Sequence, residues 1–184
     1  YNQHHCYMRP RKKKEPLQEN KLFVYDIEAS QYKHEGLSTE TENGKPGHEQ
    51  HVHKCILVIL RAVYDDREWV FPNIEEFVRF IMTDEQMWGS NIVAHNGGGY
   101  DHQFVLRYLE DNSIMHTTIP RPGTIHKYLE IGITMTGEKT SIRFTDFMML
   151  MCDSLKNIAI AFRLEVMKGD FPHRFSLDRH LQYV

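Results

Sequence analysis

The chain has 184 residues, 41% of them hydrophobic and 26% charged, and a net charge of −3 from 22 Lys and Arg against 25 Asp and Glu. That composition is ordinary for a folded domain and excludes collagen-like, coiled-coil and wholly disordered chains. No apolar run reaches the ~18 residues of a membrane-crossing helix, so no membrane partner is expected, and bulk charge does not announce a nucleic acid.

The length suits one domain, or one domain with an arm. Tyr1 to Cys6 carries neither an initiating Met nor an apolar signal stretch, so the chain reads as a piece of a longer protein. Cys6, Cys55 and Cys152 cannot all pair and sit in no CxxC, which points to a reduced, intracellular chain in the nucleus or cytoplasm. Residues 1–20 form a polar arm in which Pro10 and Pro16 bracket the basic run Arg11-Lys12-Lys13-Lys14. A solvated tail is the plain reading and a phosphate contact the functional one.

Lys21 to Glu28 is a short β-rich run, and a long polar loop from Gln31 to His51 follows it. His53 to Tyr64 is apolar enough for a buried strand, and Trp69 to Phe71 reads as the next. Asn73 is placed to cap a helix over 74–83 with Phe77, Phe80 and Ile81 on one face. Asn91 to His95 is a strand running into Asn96-Gly97-Gly98-Gly99-Tyr100-Asp101. A helix over 102–111 comes next. Thr124 to Met135 and Lys139 to Phe147 read as two strands joined by a turn at Thr136-Gly137-Glu138. Met148-Met149-Leu150-Met151 reads as core. A last helix starts at Asp153-Ser154 and carries Leu155, Ile158, Ala159 and Phe162. This order makes a mixed α/β domain around one central sheet.

Two features carry chemistry. Asp26 and Glu28, two apart on a strand, project to one face. Beside Phe23 and Val24 they would repel one another and lose hydration. A structural core gains nothing from that, whereas Mg²⁺ or Mn²⁺ would reward it, since hard cations take carboxylate oxygens. Three glycines before Tyr100-Asp101 strip Cβ atoms from a strand-to-helix turn, where something can approach the backbone. Asp101 near a helix start is also a plain stabilising residue. Together the three acids match two-metal phosphodiester hydrolysis, with ions ~4 Å apart.

Phe23-Val24-Tyr25-Asp26-Ile27-Glu28 resembles the first exonuclease motif (D-x-E) of family-B DNA polymerases, and Val93 to Asp101 resembles the second, N-x(2–3)-[FY]-D. Ser154-Leu155-Lys156-Asn157-Ile158 and Lys168-Gly169-Asp170-Phe171 resemble two motifs of the protein-primed branch, and Gly169-Asp170-Phe171-Pro172-His173 resembles the form found in large mobile elements and related linear DNA viruses. The resemblance runs from about residue 21 to the end. It implies a ribonuclease-H-like (DnaQ-like) exonuclease fold, a mixed sheet flanked by helices, that removes nucleotides from a single-stranded DNA 3′ end in proofreading. Asp26, Glu28 and Asp101 would hold two Mg²⁺ or Mn²⁺ ions, the second weakly. Asn96 and Tyr100 would hold the primer strand, Ser154 and Leu155 the frayed end, and Lys168 would act as a point charge at the scissile phosphate. A downstream polymerase module and a terminal protein are the implied partners.

Each of the last three has a plain structural alternative: helix cap for Ser154, core residue for Leu155, loop cation for Lys168. The family's third motif, Y-x3-D, is missing, since Tyr183 is followed only by Val184. The resemblance therefore implies a chain that stops before its fourth carboxylate. Two alternatives stay open: a domain that only binds single-stranded nucleic acid or a partner, and a free-standing exonuclease using His173-x4-Asp178. His48, His51, His53 and Cys55, with His4, His5 and Cys6, are a weaker zinc candidate. His95 reads as a structural histidine, and Asp146 is either a buried polar partner or a site residue.

Overall fold

The computed structural model describes residues 21–33, 51–120, 128–134 and 141–165. Seven strands and three helices make up those residues: β1 (Leu22–Lys33), β2 (His51–Ala62), β3 (Glu68–Phe71), α1 (Ile74–Thr83), β4 (Asn91–Ala94), α2 (Asp101–Asp111), β5 (His116–Pro120), β6 (Tyr128–Thr134), β7 (Ser141–Asp146) and α3 (Leu155–Ala161). The strands form one sheet in the order β3-β2-β1-β4-β7-β6-β5. β1, β4 and β7 run parallel at its centre, and the flanking pairs are antiparallel.

Alternation along β1 separates two environments. Phe23, Tyr25 and Ile27 are buried, whereas Val24 and Asp26 are exposed and Glu28 is half-buried. The buried side meets α1 and α2. Tyr25 stacks on Phe77 of α1 with ring centroids 5.5 Å apart and meets the edge of Phe144 from β7 at 5.5 Å. Leu60, Ile92, Leu109, Ile131 and Ile142 complete a fully buried core. Asn73 caps α1 as its sequence position predicts, its side chain accepting from Glu76 N–H at 2.8 Å.

Among the described residues the opposite face is partly uncovered. Val24, Val93, Ile119, Phe147 and Leu150 line a groove of about 710 Å³ along it.

Three sequence expectations change. β1 continues to Lys33, where a loop was expected from Gln31, because β2 pairs with it as far as Lys33↔His51. β5, His-Thr-Thr-Ile-Pro, has no apolar alternation to betray it; it is a short edge strand ending in Pro. The strand expected from Thr124 is present over Tyr128–Thr134, and 124–127 lie outside the described residues. Met148 and Met149 are half-buried in a one-turn 3₁₀ segment and Leu150 is 81% exposed, so this run is no core. The expected turn at 136–138 lies outside the described residues, but the strands it would join pair antiparallel through Thr134↔Ser141.

Candidate active site at the carboxyl edge of the parallel strands

The carboxyl ends of β1, β4 and β7 face the same edge of the sheet. They carry Asp26 and Glu28, the turn from His95 to Tyr100, and Asp146. Crevices at such edges are where open α/β sheets bind ligands. Pairing between β1 and β4 ends at Val24↔Val93, while β1 runs on. The backbone N–H of Ile27, past that point, donates to Asp101 Oδ1 at 3.1 Å. Asp101, the first residue of α2, is therefore anchored on the residue that separates Asp26 from Glu28, and it feels the Asp26 charge.

That position is costly for a carboxylate. Asp101 is 4% exposed. Burial, and then the negative charge of Asp26, push its pKa up to about 7. No ion pair between described residues reaches Asp26, Asp101 or Asp146. The described residues contain no group of three or more His, Cys, Asp or Glu side chains closed tightly enough to share one ion. The acids thus lie as neighbours that feel each other's charge, and Asp101 spends one oxygen on the β1 backbone.

The glycine turn is held from below. Asn96 adopts φ +60°, and Gly97 to Gly99 form a single 3₁₀ turn. A Cβ on Gly97 would lie 2.4 Å from His102 Cε1, so only glycine fits there. Asp146, 6% exposed, accepts from Gly98 N–H through Oδ2 at 3.2 Å and from Met148 N–H through Oδ1 at 2.9 Å. Asp146 is thereby a clamp that ties β7 to the turn, and its charge adds to the rise at Asp101. Beneath it Tyr25 Oη lies 2.6 Å from His102 Nδ1. Burial holds the phenol protonated and drives the imidazole pKa down to about 4, so Tyr25 donates and neutral His102 accepts.

Tyr100 precedes Asp101. Its hydroxyl meets His53 Nδ1 of β2 at 3.0 Å, and its ring packs edge-on against Phe104 at 5.2 Å. Asn96 folds its side chain beneath its own turn, near where a Gly99 Cβ would stand. Ser154 is the cap of α3, accepting from Asn157 N–H at 3.2 Å, which bears out its structural alternative. Leu155 is 42% exposed, so the core alternative is wrong for it. His95 Nε2 bonds the Asp153 carbonyl at 2.7 Å and so docks the start of α3 against the turn, a structural role as expected. Cys55 is buried, and burial pushes its thiol up to about 11. Lys168, His173, Asp178, Tyr183 and His48, and the side chain of His51, lie outside the described residues.

Sequence reasoning missed His53 as a partner of Tyr100, and nothing local signals it. The register between β1 and β2 shifts between Glu28 and Ala29, so that Glu28 opposes Leu57 and Ala29 opposes Cys55. Ile56 is the extra residue of this bulge. It reverses the alternation of β2 and turns His53 to the α2 side.

A parallel three-strand centre with acids at its carboxyl edge, and with α1 and α2 packed on one face, fits a ribonuclease-H-like fold. The model of one family, DNA polymerase type B, organellar and viral, matches residues 86–184, over half of the sequence, and the chain belongs to that family. Among solved structures, phi29 DNA polymerase with single-stranded DNA superposes with a TM-score of 0.61 at 16% identity, over 84% of this chain and 25% of that one. The same polymerase with primer-template DNA and incoming nucleotide gives 0.62 at 16% identity, and its orthorhombic crystal form 0.63 at 15%, with the same coverage. At such identities the likeness shows the fold. The chain spans about a quarter of the length of those polymerases. No curated protein matches it in sequence.

Proposed function

We propose that this chain is the 3′→5′ proofreading exonuclease domain of a protein-primed family-B DNA polymerase, acting on single-stranded DNA 3′ ends. The observation that supports it most is the anchoring of Asp101 on the Ile27 N–H, which sets a buried carboxylate against the Asp26 charge. Hard carboxylate oxygens are the donor set that Mg²⁺ or Mn²⁺ favours, and no ion pair between described residues reaches Asp26 or Asp101. Asp26, Glu28 and Asp101 would hold the ions. Bound there, the ions supply an activated water and neutralise charge at the scissile phosphate. Tyr100 offers an aromatic face to the terminal nucleotide. Leu155 offers exposed apolar surface to the frayed end, and Lys168 a cation to the phosphate. The polymerase module and terminal protein belong to this proposal as partners.

Trimming of a 3′-labelled single-stranded oligonucleotide in Mg²⁺ or Mn²⁺ tests the reading. Asp26→Ala and Asp101→Ala are expected to reduce trimming to background. Unchanged trimming in either variant rejects the assignment. A protein that binds the oligonucleotide and never shortens it would be a binding domain instead.

A further inference from the structure

We propose that His53 is a positioning residue, which fixes the Tyr100 phenol for the terminal nucleotide of a single-stranded nucleic acid. The inference rests on the exonuclease reading of the neighbouring acids and adds a residue from a different strand.

His53 belongs to no acid motif and lies 47 positions before Tyr100. Three observations join them. The Ile56 bulge is what turns His53 toward α2. Without the extra residue, strand alternation would point it to the other face. Once turned, its Nδ1 lies 3.0 Å from the Tyr100 hydroxyl, and its ring meets the phenol edge-on at 5.7 Å. Phe104 also meets the phenol with its ring plane nearly perpendicular. The phenol is therefore held at its hydroxyl and between contacts to two rings. A cleft of about 310 Å³ opens beside it, lined by Val52, His53, Tyr100, Gln103, Phe104 and Arg107. Aromatic surface next to a single guanidinium is the chemistry that takes a base and its phosphate.

His53 is exposed, and its hydrogen bond lies on the surface, so it adds little to folding. Its effect is to remove freedom from the phenol before substrate arrives, which favours binding.

The test compares His53→Ala, His53→Gln, Tyr100→Phe and the double variant His53→Ala/Tyr100→Phe. Trimming of a single-stranded oligothymidylate is measured in Mg²⁺, and binding of the same oligonucleotide by fluorescence anisotropy in Ca²⁺. His53→Ala is expected to raise KM and Kd about threefold to tenfold, the worth of one hydrogen bond, with kcat little changed. Gln, which keeps a polar group in reach, should recover most of the loss. In the Tyr100→Phe background, His53→Ala should add nothing. Multiplying effects in the double variant, or wild-type Kd in His53→Ala, overturn the proposal. The two readings fail separately. Normal trimming by Asp26→Ala rejects the exonuclease site while a raised Kd in His53→Ala still supports the pairing; the converse pattern rejects His53 alone.

Discussion

Asp101→Asn is expected to melt higher than the wild type at about pH 8 without divalent cations, and to lose trimming altogether. Asn keeps an oxygen for the Ile27 N–H and removes the charge that burial and Asp26 oppose. A carboxyl raised to about 7 from 3.8 is bound to its proton in the folded chain while the unfolded chain has released it. Its ionisation therefore works against folding, and the loss accumulates as pH rises from the unfolded value through the folded one. Removing it should stabilise the protein by about 2–4 kcal/mol above neutrality, or about 5–10 °C in melting temperature. Mg²⁺ or Mn²⁺ should raise the melting temperature of the wild type and leave Asp101→Asn unmoved, since only the carboxylate rewards the ion. A lower melting temperature for the variant at this pH would mean that the charge is already compensated.

His102 makes the pH course of the same experiment more informative. Its folded pKa is depressed, so the stability of the neutral ring is complete above about 6.5 and is lost as pH falls toward about 4. Asp101 gains over nearly the same interval what His102 loses. The wild type is thus expected to show a flat melting temperature between about pH 6 and 4, and Asp101→Asn a falling one. A thermal scan at several pH values checks this. Parallel curves would show that the two groups do not oppose each other.

The alternation of Phe23, Tyr25 and Ile27 against Val24, Asp26 and Glu28 was enough to place both acids on one face, because strand periodicity is a local property. The cap at Asn73 and the turn from Asn96 to Tyr100 were legible for the same reason. What the sequence hid is non-local. β5 became a strand only because β6 offered it an edge. The Ile56 bulge exists only in the register between β1 and β2, and with it came the meeting of His53 and Tyr100. Asp146 was undecided as long as its partners, Gly98 and Met148, could not be located. Leu155 suits a core position by residue type alone, yet α3 is a short helix with Ala159 as its buried residue.

Gly97→Ala is expected to be more damaging than Gly99→Ala or Gly89→Ala, and its cause separates it from them. The added Cβ would stand 2.4 Å from His102 Cε1, 2.7 Å from His102 Nδ1 and 2.9 Å from the Ala94 Cβ. None of these can yield cheaply. His102 is fully buried and bonded to Tyr25, and Ala94 belongs to the central strand β4. Overpacking of a closed site costs about 1–3 kcal/mol. Relief is available outward, by lifting the turn, which breaks the Gly98 bond to Asp146 and shifts Asp101 at the head of α2. Gly99→Ala would meet only the Asn96 side chain, at 2.8 Å, which can swing aside. Gly89→Ala meets nothing within 4 Å but has φ +78°, so it carries backbone strain of about 1–2 kcal/mol far from the acids. Melting temperatures and trimming rates together should sort the three. Gly89→Ala loses stability and keeps its trimming rate while folded; Gly97→Ala loses both. Equal trimming by Gly97→Ala and the wild type at a temperature where both are folded would show that the turn does not position Asp101.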